Sequence, residues 1–152
     1  MSEQPDPLEV ANRFIDLVLT GPAPSELELA KALDELAHAY HFGIPADGSD
    51  EDDSDLEPPG YPDGLYHRVA ERFPSLGYYA VADPSELTSK ELLVSDAIDD
   101  IADIVRDLME VAWRAKNQSE DDARWYFRLL FEIHWGRHLR ELSFYLHDKQ
   151  WG

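Results

Sequence analysis

The chain contains no cysteine. Disulfides, thiolate nucleophiles and sulfur-ligated metal sites are therefore excluded, and any metal ion would have to be held by nitrogen and oxygen alone. Cationic residues are scarce as well: 13 Lys and Arg stand against 32 Asp and Glu, a formal charge of −19 over 152 residues. Non-specific nucleic-acid affinity comes from basic side chains displacing counterions, so such a surface repels nucleic acid, and anionic membranes for the same reason. No apolar run approaches the roughly 18–20 residues that span a bilayer. No basic segment with an apolar core and a small-residue cleavage site opens the sequence. A cytoplasmic protein is expected, with neither nucleic acid nor membrane as a partner. Also missing are GxSxG and any glycine-rich phosphate loop, which removes the familiar signatures of acyl transfer and nucleotide hydrolysis.

What is present is a globular composition, 43 % hydrophobic and 11 % aromatic, at a length that fits one domain over residues 1–152 and buries about two-thirds of the unfolded surface. The fold class expected is all-α, a single bundle of five or six helices. Asp6 and Pro7 start the first, with Val10, Phe14, Leu17 and Val18 at helical spacing before Gly21 and Pro22 stop it. Ser25 starts the second, whose apolar stripe runs from Leu29 through Leu33 and Leu36 to Tyr40; His38 and His41 suit its C-terminal dipole. Residues 47–62 then form an acidic, Pro/Gly-rich surface loop. Asp47, Asp50, Glu51, Asp52, Asp53, Asp55 and Glu57 put seven negative charges there, and the rest of the chain still carries −12. The spacing does not match an EF-hand. Asp63–Phe73 resumes a helical pattern, and Leu76–Val81 has strand character, although one extended piece makes no sheet. A long helix is expected from about Ser89 to Lys116, and another, started by Ser119 and Asp122, to about Leu146. The short connection makes these last two antiparallel neighbours.

The two long helices carry the chemistry. At about 100° per residue, Asp96, Asp99, Asp100, Asp103, Asp107, Glu110 and Arg114 share one arc of the first, opposite Ile101, Ile104, Val105, Leu108 and Val111. A solvated acidic face is the plain reading. Aspartate, however, is a poor mid-helix residue, and like charges three and four apart repel, so a cation or a partner such as His134 or Arg137 should relieve them. On the last helix, His134, His138 and Glu141 fall among aromatic residues such as Phe127 and Tyr145 rather than on the polar strip. Buried imidazoles need partners, and Gly136 between them points to a close approach.

Three functional readings follow. In the first, Asp100, Asp103, Arg106, Asp107, Arg137 and Glu141 form with the histidines a polar pocket of a binding or interaction domain, for a small molecule or a protein partner. In the second, His134, His138, Asp99 and Asp103 ligate a divalent metal (zinc, iron, nickel or manganese) in an enzyme, with hydrolysis by metal-activated water as the expected chemistry. The weakest reading is an acidic mimic that docks on a basic partner through Asp47–Glu57. Asp99, Asp100 and Asp103 also spell the DDxxD of isoprenoid synthases, but the larger barrel and second metal motif of those enzymes are missing.

DDIADIVRDL (Asp99–Leu108) followed by HWGRH (His134–His138) resembles the bacterial family DUF5063, a domain of unknown function in which a DD-hydrophobic-ADI-x-RDL helix precedes an HWG-x-H helix. The resemblance covers mainly Ser95–His147. It implies an all-helical domain in which these two stretches meet, and it brings no activity with it.

Overall fold

The structure is a computed structural model, and it describes residues 4–42 and 57–152. Asp47–Leu56, most of the expected acidic loop and of the acidic-mimic reading, lie outside the described residues; Glu57–Pro62 have no regular structure, and Glu57 is exposed. Among the described residues no helix is long and apolar enough to cross a membrane.

The helices begin where the capping chemistry places them. In α1 (Pro7–Leu19), Asp6 accepts the Leu8 amide. In α2 (Glu26–Tyr40), Ser25 and Glu28 form a reciprocal capping box that satisfies two otherwise orphaned amides. α3 (Leu65–Arg72) follows Gly64, whose φ of 74° suits a residue without a Cβ. Its Arg72 reaches back to the carbonyls of Leu17, Thr20 and Pro22 at 3.1, 2.8 and 3.1 Å, closing the end of α1.

The expected long helix starts later than its periodicity implies. Leu93–Asp96 is a strand, β2, paired antiparallel with β1 (Tyr78–Val81), with Tyr79 opposite Ser95. The apolar run Leu92–Val94 lies on an exposed hairpin instead of a helix face, and Asp96, whose side chain accepts the Ile98 amide, is the true start of α4 (Ala97–Asn117). The fold is therefore mostly helical with one small hairpin.

From Ser119 the last helix runs to Trp151, five residues beyond the expected end: α5 (Glu120–Leu130), a π turn (Phe131–Trp135) and α6 (Gly136–Trp151). It packs antiparallel to α4, since the cross-helix partners run in opposite order: Arg114 with Asp122, Asp107 with His134, Asp100 with His138. One contiguous core holds the helices, including Leu36, Val69, Ile101, Leu108, Phe127, Trp135 and Leu142. Leu108 is fully buried, and truncating such a residue to Ala costs about 2–5 kcal/mol.

Candidate metal centre

The site lies in the seam between α4 and the last helix. His134 and His138, one turn apart on the last helix, stand edge to face with ring centroids 4.9 Å apart. Each is anchored from behind by an aspartate of α4. His134 Nδ1–H donates to Asp107 Oδ2 at 2.5 Å, and His138 Nδ1–H donates to Asp100 Oδ1 at 2.7 Å. An ionised carboxylate only accepts, so the proton of each bond sits on Nδ1, and whenever the ring is neutral Nε2 carries the lone pair. Both Nε2 atoms turn toward the same oxygen, Asp103 Oδ2, at 4.0 Å from His134 and 3.7 Å from His138.

Burial separates holders from presenters. The side chains of Asp100 and Asp107 are 4 % and 3 % exposed, whereas His134, His138 and Asp103 are 37 %, 31 % and 22 % exposed. The carboxylates that orient the rings are sealed in the protein, and the three side chains that converge are partly exposed. One ligand atom from each of Asp103, His134 and His138 lies within 4.8 Å of the other two, and among the described residues these three side chains form the one group of His and carboxylate ligands so placed. Tetrahedral ligands at bond lengths of about 2.1 Å stand about 3.4 Å apart, so the two Nε2 atoms, now 4.0 and 3.7 Å from Asp103 Oδ2, would have to draw closer to it around an ion.

Three groups of the site are shifted from their ordinary values. Burial pushes Asp103 and Asp107 above the usual carboxylate range; the two imidazoles pull Asp103 down, Asp107 and Asp100 push it up, and the His134 hydrogen bond draws Asp107 back. His138 is raised, chiefly by its bond to Asp100 and against the effect of burial. Both carboxylates thus hold protons more tightly than in water because they are partly withdrawn from solvent, and the imidazole because it is bonded to a carboxylate.

The remaining candidates are distributed around this centre. Asp99, expected as a ligand, is exposed and lies outside the ligand trio; burial, then Asp103, Asp96 and Asp100, raise its pKa. Arg137 does not relieve the aspartates: its side chain is 65 % exposed and pairs with Glu141 at 2.8 Å on its own helix. Arg106 is half-exposed and reaches Asp107 Oδ1 at 3.4 Å. Gly136 does mark a close approach, but by its own chain. Its amide donates to Phe131 O across the π turn, and a Cβ there would stand 2.3 Å from that oxygen. π turns recur at functional sites because they shift the register between the two faces of a helix.

Sequence reasoning passed over the tyrosines. Tyr79, from β1, donates its hydroxyl to Asp100 Oδ2, and its ring stacks on Tyr145 at 4.5 Å; burial first, then that bond, raise its pKa. Tyr66 donates to Asp96 Oδ2 at 2.5 Å. Tyr61 lies near enough for Asp103 and Asp99 to add to the effect of burial in raising its pKa. No spacing rule links residue 79 to residue 100 across a hairpin that the sequence did not announce.

No protein-family model matches the chain, and no curated protein matches it. Among solved structures, it is similar to the crystal structure of protein BF1032 from Bacteroides fragilis, with a TM-score of 0.66 and 17 % identity over 96 % of this chain and 93 % of that one. At that identity the likeness bears on the fold, which it supports as a mostly helical architecture along nearly the whole length.

Proposed function

We propose that the chain binds one divalent transition-metal ion through His134 Nε2, His138 Nε2 and Asp103 Oδ2. The observation that carries this reading is the paired anchoring: two imidazoles, each fixed at Nδ1 by a buried aspartate, aim their free nitrogens at one shared carboxylate oxygen. Metal-ligating histidines almost always donate their second nitrogen to such a partner, which fixes the tautomer and raises ligand basicity. Two nitrogens and one oxygen suit zinc, iron, nickel or manganese. On this reading DDIADIVRDL and HWGRH are the two halves of one site, and membership of the domain-of-unknown-function family that pairs these motifs is part of the proposal.

Three protein ligands leave a coordination position open, and the partial exposure of all three side chains leaves it accessible to water. An ion held this way supplies an acidified water at neutral pH, so metal-dependent hydrolysis is the activity proposed. Titration calorimetry with zinc, manganese, iron(II) and nickel should show one site per chain for at least one of them, lost in His134→Ala; a panel of activated esters and phosphoesters should be hydrolysed only by the loaded wild type. Absence of uptake of all four ions would remove the reading.

A further inference from the structure

Asp100 is shared. One of its oxygens holds His138 and the other takes the hydroxyl of Tyr79, so the β-hairpin and the proposed metal ligand are joined through a single buried carboxylate. Tyr79 faces inward on β1, where the strand alternation leaves Tyr78 and Ala80 exposed, and Tyr145 of α6 stacks on its ring at an interplanar angle of 8°. Beyond it the hairpin has little hold on the body: residues 84–94 are all exposed. The other anchored aspartate, Asp107, has Arg106 rather than a tyrosine on its second oxygen.

Resting on the metal reading above, we propose that Tyr79 is a positioning residue for His138, and that through Asp100 it couples docking of the Tyr78–Asp96 hairpin to occupancy of the metal site. A buried carboxylate with one bond instead of two is under-satisfied and free to rotate. Without the Tyr79 hydroxyl, Asp100 no longer points one fixed oxygen at His138, and the ring loses the constraint that directs Nε2 toward Asp103. Coupling between two sites is reciprocal: whatever factor a docked hairpin adds to metal affinity, the metal adds to hairpin docking.

Tyr79→Phe tests this, because it keeps the stacked ring and deletes only the hydroxyl. Tyr66→Phe is the control: it removes a tyrosine–aspartate bond of the same kind at the base of the hairpin, on Asp96, which holds no histidine. Tyr79→Phe should lower zinc affinity about tenfold, the lower end for loss of an outer partner, whereas Tyr66→Phe, which loosens the hairpin without touching Asp100, should lower it less and leave the His138 tautomer fixed. In wild type, saturating zinc should slow amide exchange of β1 and β2 by a similar factor. Nitrogen-15 NMR of the metal-free protein at mildly alkaline pH should show a fixed Nδ1–H tautomer for His138 in wild type and a mixture in Tyr79→Phe. Should wild type take up no zinc while Tyr79→Phe still frees the tautomer, the metal reading falls and the positioning role stands. An unchanged tautomer in Tyr79→Phe, or unchanged zinc affinity in a protein that binds zinc, overturns the proposal.

Discussion

The seam between α4 and the last helix contains two polar clusters. Near the connecting turn, Arg114 reaches Glu110 at 3.0 Å and Asp122 at 3.4 Å, with its guanidinium 3.4 Å from the centre of the Tyr126 ring. Arg114 and Asp122 are 6 % and 2 % exposed. That cluster is closed around its cation: Arg114 and Asp122 are sealed in, and only Glu110 and Tyr126 at its margin are partly exposed. About two to four turns along α4, Asp100, Asp103 and Asp107 meet His134 and His138 with the opposite design, sealed behind and open in front. Both clusters hold the helices in register. The first does so with its charges compensated, while the second turns two imidazole Nε2 atoms toward one carboxylate oxygen. Structural polar networks satisfy themselves; the open one is the site proposed to take an ion.

The largest expected effect breaks the closed side. Arg114→Met leaves Asp122 buried without its cation, a change that typically costs about 3–5 kcal/mol. In a chain of this size that lowers Tm by on the order of 10 °C. Chemical denaturation should register the loss, with zinc affinity per folded molecule unaltered.

On the open side the signature inverts. Asp103→Asn should abolish zinc binding, an effect beyond the roughly 10–100-fold typical for loss of an outer partner, while metal-free stability stays level or rises by up to about 1 kcal/mol, an amount set by its partial exposure. The sign follows from linkage. Burial raises the folded-state pKa of Asp103, so its ionised form at neutral pH opposes folding, and the neutral amide removes that penalty. A clear loss of metal-free stability would place Asp103 with the structural cluster instead.

Asp107→Asn sharpens the difference between holder and presenter. The amide cannot enforce the Nδ1–H tautomer of His134, and zinc affinity should fall about 10–100-fold, measured by competition with a chromophoric chelator. An unchanged affinity would make the anchoring incidental.

The smallest effect lies at alkaline pH. Tyr66 is raised to about 12, first by its bond to Asp96, whereas the unfolded chain titrates near the ordinary value of 10.0. Its stabilising contribution is complete below that unfolded value and fades as pH rises through the folded one. Stability profiles of wild type and Tyr66→Phe should therefore converge above pH 10, and parallel profiles would exclude the linkage.

Much of this organisation was legible in the chain. Asp6, Ser25 and Ser119 marked helix starts because capping is local chemistry. His134 and His138 were expected to be buried against the carboxylates of α4; they do meet Asp107 and Asp100, but their side chains stay 37 % and 31 % exposed because the seam is open on one side. The acidic arc of α4 was seen as one stripe. Its division into buried Asp100 and Asp107, half-buried Asp103 and exposed Asp99 depends on where the last helix crosses, which periodicity within α4 does not encode. The hairpin was hidden because Leu93 and Val94 extend the apolar pattern of α4 smoothly upstream, and strand pairing between residues 78–81 and 93–96 is a non-local choice. With the hairpin went Tyr79. The π turn was legible as a single trace, Gly136, whose tight approach turned out to be to Phe131 of its own helix.

Anomalous diffraction from crystals grown with zinc tests the central claim most directly. The account predicts a single strong peak in the seam, about 2 Å from Nε2 of both His134 and His138 and from Asp103 Oδ2, with Asp100 and Asp107 still bonded to the two Nδ1 atoms. An empty seam at saturating zinc, or an ion bound through Nδ1 with the aspartates displaced, would contradict it.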